Sequence, residues 1–138
     1  MYFLSPMQEG MLFHSLFDGG QAGEVAAGSG VSYHEQSSYR LHGDLDVGIV
    51  ERSLNELFKR YDVLRTQFIH EEVNRPLQVV LKERCVDFYY QDLRGDGKES
   101  QEAFIRDYKD KDKRHVFDLS KDVLMGVSIL QVDDDEFE

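Results

Sequence analysis

Leu4-Ser5-Pro6-Met7-Gln8-Glu9-Gly10-Met11-Leu12-Phe13-His14-Ser15-Leu16-Phe17 constrains the chain more than any other stretch. It reads as a complete helix start. Ser5 is placed to cap, Pro6 suits the first helical position, and Gln8 stands at the third position of a capping box. Met7, Met11, Leu12, Phe13, Leu16 and Phe17 form a broad apolar face that a partner layer must cover, and Gly19-Gly20 ends the helix.

The residues beyond it set that helix in a mixed fold. Asp18 to Gly30 is rich in Gly and Ala without apolar periodicity, which predicts a mobile surface loop. Val31 to His42 alternates, with Val31, Tyr33, Tyr39 and Leu41 on one face, and predicts a half-buried strand. Asp44 or Asp46 then caps a helix carrying Val50, Leu54, Leu57, Phe58 and Tyr61 at helical spacing, with Glu56 to Arg60 as an i,i+4 pair on its wet face. Met7, Met11, Leu54 and Phe58 are expected in the core. Leu64 to His70 leads into a strand, Glu71 to Arg75 is a polar turn, Leu77 to Leu81 returns, and Val86 to Tyr90 is a further strand. After the turn-rich link Asp92 to Lys98, Glu99 to Lys113 is helical, with Phe104, Ile105 and Tyr108 inward. Phe117 to Ser120 is a turn, Leu124 to Val132 a long strand, Asp133 to Glu136 a hairpin turn, and Phe137-Glu138 the start of a returning strand. The order α-β-α-β-β-β-α-β predicts an α+β, or α/β, sandwich of helices on a mostly antiparallel mixed sheet.

Charge and side-chain chemistry narrow the functions. A net charge of −11 argues against nucleic acid or an anionic membrane surface as partner. The single cysteine, Cys85, excludes an internal disulfide, fits a reducing cytosol and reads as a small core residue. No run of about 18 apolar residues suggests a membrane span, so a cytoplasmic location is expected. The five His (His14, His34, His42, His70, His115) fall at no metal-ligand spacing, and no metal site is expected. The acidic run Asp133 to Glu136 fits no calcium loop. His14-Ser15-Leu16-Phe17-Asp18-Gly19 satisfies the spacing His-x-x-x-Asp-Gly of a general-base loop, yet it lies inside the capped helix, where a base cannot project from a rigid loop into a channel.

Several strings taken together carry a resemblance. Ser5-Pro6-Met7-Gln8-Glu9-Gly10-Met11-Leu12-Phe13-His14-Ser15-Leu16 resembles the opening motif of condensation domains of nonribosomal peptide synthetases, within the chloramphenicol acetyltransferase-like superfamily. Tyr33-His34-Glu35-Gln36 with Tyr39 to Asp46 is similar to that family's first strand and second helix. Lys59-Arg60-Tyr61-Asp62-Val63-Leu64-Arg65-Thr66-Gln67-Phe68 resembles its second motif, Arg-His-Glu/Asp-x-Leu-Arg-Thr-x-Phe, with Tyr61 where His is usual. Pro76 to Val80 and Phe117 to Ser120 come next in family order. Departures are Val123 where Pro is common, Gly126 where Arg is common, and a longer loop at Asp18 to Gly30.

The resemblance implies that residues 1–138 are the N-terminal part of a condensation domain, an incomplete lobe stopping before the His-His-x-x-x-Asp-Gly motif and the second lobe. The parent would join a carrier-bound aminoacyl or peptidyl thioester to the amine of a second carrier-bound aminoacyl thioester. Phosphopantetheine would reside on the carrier domains, with no cofactor held directly and no catalytic residue in this chain. Carrier and adenylation domains are the implied partners. Arg65, and less directly Arg60, would support the active-site loop electrostatically, since a guanidinium at a helix-to-strand junction can hold several acceptors; the alternative is a surface ion pair worth at most about 1 kcal/mol. Ser5, Gln8, Met11, Leu64, Thr66 and Phe68 are motif positions with mainly structural roles. An unfinished sheet margin and open apolar surface predict self-association or a domain-swapped dimer of the isolated piece. Two rival readings are a small non-enzymatic binding module using Asp18 to Gly30, and a CoA-dependent acyltransferase using His14.

Overall fold

The structure, a computed structural model, describes residues 1–20 and 33–138, with side chains omitted for residues 17–20. Its elements are β1 (Tyr2–Phe3), α1 (Pro6–Gly20), β2 (Leu41–His42), α2 (Val47–Arg60), a 3₁₀ turn (Asp62–Arg65), β3 (Thr66–Ile69), β4 (Leu77–Val80), β5 (Asp87–Asp92), α3 (Lys98–Lys113), β6 (Gly126–Asp133) and β7 (Glu136–Phe137). Both helix starts form as their sequences dictate. Ser5 N–H donates to Gln8 Oε1 (2.9 Å) and Gln8 N–H to Ser5 Oγ (3.3 Å), a reciprocal capping box. Of the two aspartates ahead of α2, Asp46 is the cap, its Oδ1 accepting from Ile49 N–H at 2.8 Å.

The strands form two small sheets. One is antiparallel, ordered β1-β4-β3, with Thr66 opposite Val80 and Tyr2 opposite Gln78. The other is mixed, ordered β2-β7-β6-β5. There β5 and β6 run parallel from Asp87–Gly126 to Asp92–Gln131, a crossover that α3 supplies. The hairpin at Asp133 closes as the acidic turn predicts, and β7 returns antiparallel with Phe137 opposite Gln131. Leu93, Ile105, Leu130 and Val132 make the core between α3 and this sheet, with Tyr108 packed on them. Gln101, itself buried, donates to Leu93 O (2.8 Å) and Val132 O (2.9 Å), satisfying carbonyls where β5 and β6 end. The result is an α+β arrangement with sheets that do not close on each other.

Six expectations need correction. The predicted strand Val31 to His42 shrinks to Leu41–His42; Tyr33 is a turn residue at φ 70°, residues 34–40 join no ladder, and Val31 and Ser32 lie outside the described residues. Alternation alone could not supply a partner strand, and the segment is held by side chains instead. Met7 and Met11 are not core: Met7 is 78% exposed, because α1 buries Leu12 rather than its methionine side. Cys85 is exposed at the approach to β5, where its neighbour Val86 takes the buried position. Phe104 is exposed, since Ile105 claims the inward direction of α3. Glu56 pairs with Lys59 at 2.6 Å instead of Arg60, whose guanidinium lies 5.6 Å from the Tyr61 ring centroid. Asp18 to Gly20, expected to open the loop Asp18 to Gly30, are the last turn of α1, and the rest of that expectation, residues 21–30, lies outside the described residues.

Candidate functional site

The two sheets, α1, α3 and the segment between α3 and β6 enclose a groove of about 1190 Å³. From α1 it takes Gln8, Met11, Leu12 and Ser15; from β3, Phe68; from the mixed sheet, Asp87, Tyr89, Gly126, Ser128, Leu130 and Glu138. Residues 33–38 form one wall, and the end of α3 with residues 114–117 and Leu119 forms another.

The chemistry of those walls is aromatic and acid-base. Phe117 is held edge-on by two imidazoles, His34 at 5.3 Å and His115 at 4.9 Å between ring centroids. Each imidazole faces a carboxylate, His34 Nε2 lying 4.0 Å from Asp112 Oδ2 and His115 Nε2 3.9 Å from Asp122 Oδ2. His34 Nδ1 is buried without a hydrogen-bond partner among the described residues. Tyr108 stacks on Tyr89 (5.3 Å, 12°), and its hydroxyl meets Ser128 Oγ at 2.7 Å. Next in sequence to Phe117, Asp118 is held at a pKa of about 2. The hydrogen bond from Lys121 is the largest cause, followed by those from the Ser120 hydroxyl and N–H.

Arg65 sits apart from the groove, at the joint of α2, the 3₁₀ turn and β4. Its Nε donates to Phe58 O (2.7 Å), one terminal nitrogen to Leu81 O and Lys82 O, and the other to Lys59 O and Asp62 Oδ1. Those five contacts match the five N–H groups of a guanidinium, and the side chain is only 11% exposed. Arg60 has no comparable set and stacks on Tyr61. Thr66 Oγ1 donates to Asp62 O (2.9 Å), Leu64 is half-buried, and Phe68 both lines the groove and donates its N–H to Leu119 O (2.9 Å). Gln8 closes the capping box and donates to Gln78 Oε1 (3.3 Å), which ties α1 to β4. The motif positions thus collect around the joint of α1, α2 and the antiparallel sheet; Gln8, Met11 and Phe68 reach the groove, and the two arginines do not line it.

His14 is exposed on α1, its ring 5.7 Å from that of Phe13 and about 100° round the helix from groove-lining Ser15. Among the groove residues that sequence reasoning did not assign to a site are His34, Asp112, His115, Phe117 and Glu138. Their signal was faint: a polar Tyr-His-Glu-Gln string, and a His just beyond a charged helix end. Among the described residues, no group of three or more His, Cys, Asp or Glu is gathered to hold a metal, and no helix is long and apolar enough to cross a membrane.

The fold, with one antiparallel and one mixed sheet, has counterparts among solved structures. The cyclization-docking bidomain of the EpoB nonribosomal peptide synthetase from Sorangium cellulosum matches 99% of this chain and 25% of its own length, with a TM-score of 0.70 at 20% identity, a likeness of fold. At the level of sequence, the family model described as Condensation domain matches residues 1–138, and the chain belongs to that family. Gramicidin S synthase 2 of Brevibacillus brevis is 46% identical over 131 residues, covering 95% of this chain and 3% of that protein. Surfactin synthase subunit 3 of Bacillus subtilis (strain 168) is 43% identical over 138 residues, 100% and 10% respectively. The chain therefore spans a small share of the curated relatives it matches.

Proposed function

We propose that residues 1–138 serve as the N-terminal part of a peptide-bond-forming condensation domain. The parent joins a carrier-bound aminoacyl or peptidyl thioester to the amine of a carrier-bound aminoacyl thioester, with the groove as part of the substrate path. The observation that supports this most is the match of the whole chain to the condensation family. The proton-handling His-His-x-x-x-Asp-Gly loop, a string that does not occur in the 138 residues, belongs in this reading to the parent, and the isolated chain is inactive. Carrier and adenylation domains are the working partners, phosphopantetheine arrives on the carriers, and the setting is cytoplasmic.

Arg65 acts in this reading from a distance. With its donors engaged by Phe58, Leu81, Lys82, Lys59 and Asp62, it fixes the joint from which β3 carries Phe68 to the groove. Arg60 contributes less, through Tyr61.

The test extends the chain with the next family strand, the His-His-x-x-x-Asp-Gly loop and the second lobe, then assays dipeptide formation with matched, loaded carriers. Product from the extended protein and none from residues 1–138 is expected. A well-folded extended protein that makes no dipeptide overturns the proposal.

A further inference from the structure

Residues 34–40 cross the molecule as a strap with no ladder of their own, and side chains fasten them at both ends. At one end Gln36 Nε2 donates to Asp112 Oδ2 (2.6 Å) and Lys109 O (3.1 Å), beside His34. At the other, a single carboxylate gathers three donors from two elements. Glu138 accepts from Ser38 Oγ (2.6 Å) and Arg40 Nε (2.8 Å) of the strap and from Lys109 Nζ of α3. Its own backbone is fixed independently, N–H to Leu130 O and C=O from Leu130 N–H, at 2.8 and 2.9 Å. The side chain is 9% exposed, so it is a nearly buried anion between two cations.

We propose that Glu138 is a positioning residue for the groove: its carboxylate holds the strap, and thereby the wall made by residues 33–38, against α3 and β7. The geometry separates this role from fold stability. The backbone pairing of Glu138 with β6 survives any change of its side chain, whereas the strap's tie to Glu138 is through that side chain. Charge supports the assignment. Burial opposes ionisation of Glu138, but the hydrogen bonds from Lys109 and Ser38 and the charges of Lys109 and Arg40 outweigh it and hold the carboxyl below the usual Glu range. Around it stand Arg106, Lys113, Glu102 and Asp110 of α3, Glu136 of β7, which takes a second bond from Arg40 (3.0 Å), and Asp112 at the far tie. Neutralising Glu138 removes the one carboxylate that Arg40 of the strap and Lys109 of α3 share, and leaves Arg40 only its bond to Glu136.

The experiment is an ¹⁵N-relaxation measurement on the 138-residue chain and on Glu138→Gln, which keeps shape and ladder and removes the charge. Wild-type strap amides 34–40 are expected near the rigid order parameter of about 0.85 at neutral pH. In the variant they should fall below about 0.6, while β5 and β6 stay unchanged. A depressed Glu138 keeps its tie at and above the ordinary Glu range. Wild-type strap order should therefore be lost only as pH falls through the depressed value, a step absent in Glu138→Gln, and Glu138→Asp should restore part of it. A strap equally rigid in the variant, or a loss of order throughout the molecule, overturns the proposal. The consequence for turnover rests on the function proposed above: in the extended protein, Glu138→Gln should raise KM for the carrier-bound substrate about ten-fold with kcat within about two-fold. If the extended wild type does not condense at all, that function falls while the relaxation result still decides the role of Glu138.

Discussion

Removing the Arg65 guanidinium should cost this chain a large part of its stability, and the structure lets the loss be worked out. Arg65→Met keeps the stem that crosses the joint but leaves the carbonyls of Phe58 and Leu81 without their donor, and weakens those of Lys59 and Lys82, whose contacts at 3.4 and 3.3 Å are longer. The Asp62 contact adds little, because that carboxylate is 72% exposed. Two good hydrogen bonds from a charged donor at about 1.5 kcal/mol each give a loss of about 3 kcal/mol. For a domain of this size that is a fall in Tm of about 10 °C. Arg65→Lys should recover less than half, since an ammonium cannot form the fork that reaches α2 and β4 together. Arg60→Met is the internal control, with an exposed ring contact worth about 0.5 kcal/mol. Urea and thermal unfolding followed by far-UV circular dichroism measure all three. If Arg65→Met loses less than about 1 kcal/mol, or no more than Arg60→Met, the assignment of Arg65 as the tie between α2 and β4 is wrong.

Three further outcomes rest on the same structure. Gln101→Met should lose about 2 kcal/mol in urea unfolding, because Leu93 O and Val132 O both lose a buried donor. Gly126→Ala should be neutral or stabilising by about 0.5 kcal/mol: an added Cβ meets nothing nearer than Asp87 O at 3.7 Å, and Gly inside a strand is entropically costly; a loss above about 1 kcal/mol in the same assay would contradict this. Asp118 and Asp92, both held at a pKa of about 2, contribute stability that is complete above their ordinary value of 3.8 and lost as pH falls toward about 2. For Asp92 the Arg94 side-chain bond is the main cause, with the bond from the Arg94 backbone N–H second. Asp118→Asn and Asp92→Asn should therefore flatten the acid limb of a stability–pH curve between about pH 4 and 2, and an unchanged limb in both would refute the ion-pair account.

Where the sequence was legible, the reason was local. The Ser5–Gln8 box, the Asp46 cap and the Asp133 to Glu136 turn each contain their own hydrogen-bond partners within a few residues, so their conformations are written in adjacent side chains. The misread places all depended on something distant. Alternation from Tyr33 to Leu41 describes a strand only if another strand lies alongside, and the strap found Asp112 and Glu138, about 76 and 100 residues away, in its place. Met7 and Met11 satisfy helical periodicity, but which side of α1 is covered depends on distant partners such as Gln78 of β4 and Arg75. The groove was the least legible feature, because it assembles His34, Phe117 and His115 from segments that carry no shared pattern. The family motifs were readable as strings, and the structure gives several of them a mechanical meaning: Gln8 and Gln78 join α1 to β4, and Arg65 joins α2 to Leu81, just past the end of that strand.

The distribution of charge ties these observations together. With Lys and Arg at 16 against Asp and Glu at 27, each cation has carboxylates to choose from, and the structure uses cations as joints between elements. Arg75 connects the β3–β4 turn to Glu9 of α1 and lies over the Phe3 ring at 4.9 Å; Arg94 connects the end of β5 to Asp134; Lys109 and Arg40 meet at Glu138. Exposed ties of this kind are individually weak and screened by salt, whereas Arg65 and Glu138 are nearly buried and screened little. Raising ionic strength should therefore loosen the Arg75 and Arg94 contacts first and leave the α2–β4 joint and the strap in place. The order of those losses, tracked by side-chain NMR of the four arginines through a salt titration, separates surface pairing from the two nearly buried joints. Simultaneous loss of all four would mean that burial of Arg65 and Glu138 confers no protection, and the positioning argument would go with it.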